Sequence, residues 1–441
     1  MRLPDIFSHA FTKYVLALAL AMIAFCASLP VSGPAHFPDE TAYLANASAI
    51  AGFHNDLASS YHAGYSIIIA PAFYFGKTPE TIWLYVKLIN ALLYFVTILS
   101  LFSLAKILFP ETKCTSRMIA VLITAFYPIY FIMPGYSFSE SAFLCFFILT
   151  FLCFERVRND SSLNTVLFAL LTGYLYWIHP KGIVVGIAAI MALAYIALRT
   201  RRVTPLLIFL PLYSMTLIIY KLIFVPWLYS RMTISGAAPI QHYPSVIDVV
   251  LNLLTLPKLA EFMGRFSGQA FYLIIGSVGL VMIGLMSFWI KSKAEVFSRG
   301  HLKIISSYHA TFIFLTLCLI GMMTMTALSF TYFSYTTRLD QWMYGRYTES
   351  VIAPLILAGV ISVMGRGGRA VSISKGLTII LSVCFFASIL WLVIQPYDPT
   401  SRPNISAFWQ DFFVRDYGVL IWAICGLIPI IFLILYDLNG G

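Results

Sequence analysis

Phe37-Pro38-Asp39-Glu40-Thr41-Ala42-Tyr43-Leu44 follows the first apolar run of this chain, and its two adjacent carboxylates set the reading of everything around it. Of 441 residues, only 10% are charged, while 60% are hydrophobic and 16% aromatic; mean hydropathy is +0.87. Soluble chains carry about 25% charged residues. In so apolar a chain, a carboxylate pair at the edge of a hydrophobic run is costly to keep and points to chemistry.

The flanking runs settle the class. Stretches of about 20 apolar residues match the thickness of a bilayer core, and these runs are continuous where barrel strands would alternate. The expected fold is all-α, a polytopic transmembrane bundle of about 12 spans: 14–30, 83–109, 118–133, 138–155, 163–178, 182–198, 205–225, 270–290, 309–333, 349–365, 375–396 and 417–436. The net charge of +10 follows this topology. With the N-terminus inside, Lys106, Lys113 and Arg117, then Arg156 and Arg158, Arg199 to Arg202, Lys291 to Lys303, and Arg366 to Lys375 all fall in cytoplasmic loops. That is the positive-inside bias, so no nucleic-acid partner is expected.

The first span reads as a retained signal anchor, because no small-x-small cleavage site follows it. The seven cysteines form no Cys-x-x-Cys and lie mostly within spans, where they act as small apolar residues. No Walker A sequence, Gly-x-Gly-x-x-Gly unit or His-Glu-x-x-His is present, which removes the usual marks of nucleotide-driven transport, a Rossmann cofactor and zinc proteolysis. We read residues 1–441 as one membrane domain. Its first external loop, 31–82, carries the carboxylates and a short apolar segment, Gly64 to Gly76, that suits an interfacial or re-entrant helix. Residues 246–262 suit a second interfacial helix.

Several external groups compete between structural and chemical roles. Asp39 would cap a helix over 41–51, with Glu40 favourable to its dipole; a tuned general base is the alternative. Glu140, in Tyr136-Ser137-Phe138-Ser139-Glu140-Ser141, either opens a span or adds a third carboxylate on the outer face. His179-Pro180-Lys181-Gly182 makes a tight outer turn. Its lysine opposes the charge bias, so it either snorkels or meets a phosphate; His179 is an ordinary loop residue or a substrate contact. Arg338-Leu339-Asp340-Gln341-Trp342-Met343-Tyr344-Gly345-Arg346-Tyr347-Thr348-Glu349 offers two arginines among aromatics. An interfacial aromatic belt explains Trp342 and Tyr344 but leaves Arg346, between Gly345 and Tyr347, for anion binding. His62 is structural or a ligand, and Trp227 and Trp409 belong to the belt.

In order along the chain, Asp39-Glu40-x-x-Tyr43, His62-x-Gly64-Tyr65, Ser139-Glu140, Lys181-Gly182 and Tyr344-Gly345-Arg346-Tyr347 before a span containing Pro354 resemble the polyprenyl-phosphate-dependent GT-C glycosyltransferases. That group includes protein O-mannosyltransferases and lipid A aminoarabinose transferases. The resemblance implies a GT-C bundle with juxtamembrane helices in the first external loop and a polyprenyl-phosphate sugar as donor, with transfer that inverts the anomeric centre. It makes Asp39 the base, with Glu40 and Glu140 positioning the acceptor or assisting. Lys181, Arg346 and Arg338 would neutralise the departing lipid phosphate. Tyr43, Tyr65, Tyr344 and Tyr347 would line the sugar site, with His62 and His179 beside it.

The modest external loops favour a surface glycan or lipid acceptor over a large protein. The implied setting is a bacterial inner or cell membrane, with the site facing outward. No cofactor is required by this chemistry, although Asp39 with Glu140 could hold a divalent cation through oxygens. Two other classes fit parts of the pattern. A flippase or transporter of lipid-linked sugars predicts buried midplane charges and repeated halves. A polysaccharide polymerase or ligase predicts a large late external loop.

Overall fold

The computed structural model describes residues 9–34, 39–53, 59, 61–157, 162–232, 248–249, 251, 253–277, 279–298, 307–333 and 344–364. Every regular element among them is helical. The expected spans 375–396 and 417–436, with Arg338, Trp342 and Trp409, lie outside the described residues. The chain divides into two compact units.

The first unit, residues 1–242 with 301–305, opens with α1 (His9–Ser28), a 20-residue apolar helix. The carboxylate pair then forms the first turn of α2 (Asp39–Ile50), where negative charge meets the positive end of the helix dipole. The short apolar segment folds as α3 (Gly64–Ile69) and α4 (Pro71–Phe75), too short to be a regular span. Thr78 then starts α5 (Pro79–Leu108): its side chain accepts from Thr81 N–H, and Pro79 occupies the first turn, where its missing donor is harmless. The expected 118–133 span is broken. The α6 helix (Cys114–Ala125) and the pair α7 (Pro128–Ile132) and Met133–Gly135 meet at 69°, because Pro128 cannot continue the hydrogen-bond ladder of α6.

Helices α8 (Ser139–Val157), α9 (Ser162–Ile178), α10 (Gly182–Thr200) and α11 (Thr204–Ile219) complete the bundle. The last runs through a π-helical turn, Tyr220–Phe224, into α12 (Val225–Tyr229). Lipid tails are as apolar as leucine, so bundle stability in a membrane comes from close packing. Here that packing is an aromatic ladder: Phe147–Phe151–Phe154 along α8 (6.4 Å and 6.4 Å), Phe154 to Phe168 of α9 (5.4 Å), and Phe168 to Phe209 of α11 (5.0 Å).

The second unit, residues 243–300 with 306–441, holds α13 (Leu256–Gly276), α14 (Leu280–Ser298), α15 (Ser307–Phe333) and α16 (Arg346–Met364). The expected 270–290 span is corrected: the helix is interrupted in its middle, and residues 256–262 of the expected interfacial segment belong to α13. Gly279 causes the break, taking φ +75°, a left-handed conformation that other residues avoid, and its N–H closes the turn on Ile274 O at 2.7 Å. Helix α14 packs along α16, and α15 packs against α13 and α14. Six helices among the described residues are long and apolar enough to cross a membrane, or seven with the bent pair. This is a multi-pass membrane protein.

One buried lysine holds the two opening spans of the first unit together. Lys87, eight residues into α5 and 4% exposed, points its ammonium at the carbonyls of Ser28, Leu29 and Val31 (3.3, 3.4 and 3.1 Å), the C-terminal end of α1. Trp83 Nε1 donates to the same Val31 carbonyl at 2.9 Å. A cation on the last carbonyls of a helix complements the dipole and adds to the bonds that Trp83 and the Val31 N–H already make there. Lys87→Met keeps the volume but removes the ammonium's bonds to those carbonyls. Its purified form should lose about 1–3 kcal/mol of stability, read as a lower unfolding midpoint in detergent.

Candidate functional site

The segment that follows α1 is tied to the start of α8 by its own carboxylate. Glu40 is fully buried, and its Oε1 accepts from Ser137 N–H at 2.8 Å and Ser137 Oγ–H at 3.2 Å. One turn further along α2, Tyr43 donates from its hydroxyl to Ser139 Oγ at 2.9 Å. Ser139 Oγ in turn donates to Glu140 Oε2 at 3.4 Å, and Glu140 Oε1 faces Lys181 Nζ at 3.9 Å. The polar chain thus runs from α2 through the start of α8 to the turn before α10. Lys181 is fully buried and Glu140 nearly so. The ammonium also lies over the Phe143 ring, 4.5 Å from its centre. A buried ion pair of this length contributes little net stability; it sets an oriented positive charge in an apolar wall.

Asp39 remains partly accessible and accepts from the Tyr61 hydroxyl at 2.7 Å through Oδ1. Tyr61 and Tyr65 both meet the Tyr43 ring edge-on, with centroids 5.5 and 5.4 Å away. The Tyr65 hydroxyl donates to Asn90 Oδ1 at 3.0 Å, and Asn90 Nδ2 to Tyr136 O at 2.8 Å. The α9 terminus brings these pieces close. Added Cβ atoms at Gly64 and Gly182 would overlap the backbone of Ile178 and Leu175 respectively, so both helix starts press on the end of α9 as only glycine allows. Between them His179 accepts from Lys181 N–H through Nδ1 at 3.2 Å.

His62 lies beside this end of α9. Its Nδ1 donates to Tyr176 O at 2.5 Å, and the ring packs edge-on to Tyr176 and tilted on Tyr220 (4.7 and 5.1 Å). Desolvation is the largest influence and lowers its pKa to about 4; the Tyr176 carbonyl opposes this, and nearby Lys221 adds to it.

In the second unit the Tyr344–Tyr347 segment opens α16. Tyr344 is 5% exposed, packed on Phe330 (4.7 Å) and Tyr347 (5.0 Å). Arg346 and Glu349 are buried in the first turn of the helix. Glu349 accepts from the Tyr272 hydroxyl at 2.6 Å, and a side chain at Gly345 would collide with the Tyr272 ring. Along α13, Lys258, Glu261 and Arg265 form an ion-paired row (3.0 and 2.6 Å), followed by Gln269, whose buried amide has no hydrogen-bond partner among the described residues. The carboxylate and lysine motifs of the first unit are therefore brought together as one connected group; the Arg346 segment belongs to the second unit. Sequence reasoning missed Tyr61, Asn90 and Tyr272. Nothing marked them: tyrosine occurs 26 times in the chain, and only the fold selects among them.

The His62 environment has a measurable consequence. Its folded-state pKa, about 4, is below the unperturbed 6.5, so the unfolded chain binds the extra proton first. Stability should be complete above pH 6.5 and fall as the pH drops toward 4, by at most about 3 kcal/mol. His62→Gln keeps a donor for Tyr176 and should flatten that part of the unfolding-midpoint profile between pH 7 and 4.5.

No family model matches the sequence, and no curated protein matches it. Two solved structures are similar to it. A crystal structure of ArnT from Cupriavidus metallidurans bound to undecaprenyl phosphate aligns with TM-score 0.50 and 16% identity over 96% of this chain and 71% of that one. The apo structure of ArnT from the same organism aligns with TM-score 0.48 and 15% identity over 98% and 72%. At such identity it is the fold that is shared, and the comparison with the lipid-bound structure gives the conclusion: this chain has the GT-C-like membrane fold of ArnT.

Proposed function

We propose that the protein is a membrane glycosyltransferase that moves a sugar from a polyprenyl-phosphate carrier to an acceptor hydroxyl, with Asp39 as general base. The supporting observation is the connected polar chain of the first unit. A partly accessible carboxylate, Asp39, stands one residue from the buried tie Glu40–Ser137, and the chain from Tyr43 ends on a buried ammonium, Lys181. The likeness to a fold crystallised with undecaprenyl phosphate bears on the carrier lipid.

The chemistry divides between these groups. The Asp39 carboxylate takes the proton of the acceptor hydroxyl as its oxygen attacks the anomeric carbon. The bond from that carbon to the phosphate oxygen breaks, and polyprenyl phosphate leaves with the electron pair. Attack opposite the leaving group inverts the anomeric centre. Negative charge grows on the departing phosphate, and a fixed ammonium in an apolar wall stabilises it more than a solvated one would. Lys181 fills that role, with Glu140 holding it in place. Glu40 fixes α2 through its bonds to Ser137. We assign the acceptor to the surface glycans or lipids reached from the outer face of the membrane.

Purified protein in liposomes should transfer radiolabel from an undecaprenyl-phosphate-linked sugar to membrane glycan or lipid. Asp39→Asn should lose at least about 100-fold in kcat while keeping its unfolding midpoint and its affinity for undecaprenyl phosphate. Lys181→Ala should instead weaken binding of undecaprenyl phosphate. Normal turnover by Asp39→Asn would sink the base assignment, and lipid-linked sugar that crosses the bilayer without transfer would make the protein a flippase.

A further inference from the structure

Residues 61–63 join no helix, yet each is fastened. Asn46 Nδ2 of α2 donates to Tyr61 O at 3.1 Å, and Tyr61 N–H donates to Ser59 Oγ at 3.2 Å. His62 Nδ1 holds Tyr176 O of α9, while Ala63 N–H donates to the Tyr220 hydroxyl at 3.1 Å. Ala63 also packs in an apolar cluster with Ala49, Leu228 and Met232. Three elements thus grip a three-residue strap: α2, the end of α9, and the π turn that begins at Tyr220. Such turns insert an extra residue per turn, shift the side-chain register, and occur often at functional sites. Here the shifted register contains the hydroxyl that receives Ala63.

What the strap delivers is a single group, the Tyr61 hydroxyl, 2.7 Å from Asp39 Oδ1. We infer that Tyr61 is a positioning residue for the proposed glycosyl transfer, holding the Asp39 carboxylate in the orientation that takes the acceptor's proton, and that Tyr220 fixes Tyr61 through the strap. The inference rests on the assignment of Asp39 as base. An aspartate in the first turn of a helix turns about two side-chain bonds, and reaction requires one orientation; fixing one oxygen removes that search. A hydroxyl donor also favours the charged carboxylate. Tyr61 keeps its own proton throughout. The edge-on contact with Tyr43 (5.5 Å) holds the Tyr61 ring from the side, so the ring needs no substrate to be in place.

The test uses the full-length protein in liposomes with the undecaprenyl-phosphate-linked sugar as probe. Tyr61→Phe should lower kcat about 10–100-fold with the donor KM within twofold of wild type and an unchanged unfolding midpoint. Tyr220→Phe, which removes the acceptor for Ala63 N–H, should lower kcat in the same direction by a smaller factor. Incorporation of 3-fluorotyrosine at position 61 keeps the hydroxyl and should restore wild-type kcat. Wild-type kcat in Tyr61→Phe overturns the inference, as does a loss that 3-fluorotyrosine fails to restore or that tracks a fall in the unfolding midpoint. Asp39→Asn measured alongside separates the two assignments: if it turns over normally the base role itself is wrong, whereas an inactive Asp39→Asn beside a fully active Tyr61→Phe refutes only the role of Tyr61.

Discussion

A carboxylate cut off from water must be answered by donors, and Glu40 is answered by the backbone and hydroxyl of Ser137, 97 residues away in sequence. Charge-assisted bonds of this kind are about twice as strong as neutral ones, and leaving such a group unpaired is more expensive still. The tie therefore fixes where α2 lies against the start of α8. Once that register is set, Tyr43 reaches Ser139, Ser139 reaches Glu140, and Glu140 faces Lys181. Asp39, the neighbour of Glu40, is carried to the edge of the same group. Adjacent residues on one helix point about 100° apart, which is how one carboxylate can be structural and the next remain accessible.

The end of α9 is the second constraint. The starts of α3 and α10 press on it at Gly64 and Gly182, and the His62 strap hangs from its Tyr176 carbonyl. Lys181 follows it after one tight turn. The turn that carries the buried Lys181 and the strap that brings the Tyr61 hydroxyl to Asp39 are thus both fastened to this helix end. The aromatic ladder of Phe147, Phe151, Phe154, Phe168 and Phe209 packs α8, α9 and α11 against one another, and the Phe143 ring gives the Lys181 ammonium an apolar neighbour.

Much of this was legible in the sequence, and the misses have physical reasons. Apolar length alone located α5, α10, α15 and α16 to within a few residues, because a bilayer imposes that length. It could not locate the break at Gly279, since one glycine in an apolar run looks like any other until its φ is known, nor the bend before Pro128. Among site residues, Asp39, Glu140 and Lys181 stood out because charge is rare in this chain. Tyr61 did not, because aromatic residues are common and only the strap gives this one its partner. The division of labour between Asp39 and Glu40 was equally hidden: two neighbouring carboxylates read alike until one is seen to be fully buried.

That division is the centre of the account, and thermal unfolding of Glu40→Ala beside Asp39→Asn tests it most directly. Glu40→Ala leaves both Ser137 donors without their acceptor and should lose about 2–4 kcal/mol of stability, with binding of undecaprenyl phosphate falling as the segment loosens; Asp39→Asn should unfold like wild type. A Glu40→Ala protein as stable as wild type would contradict the account, because the carboxylate would then not be what sets α2 against α8.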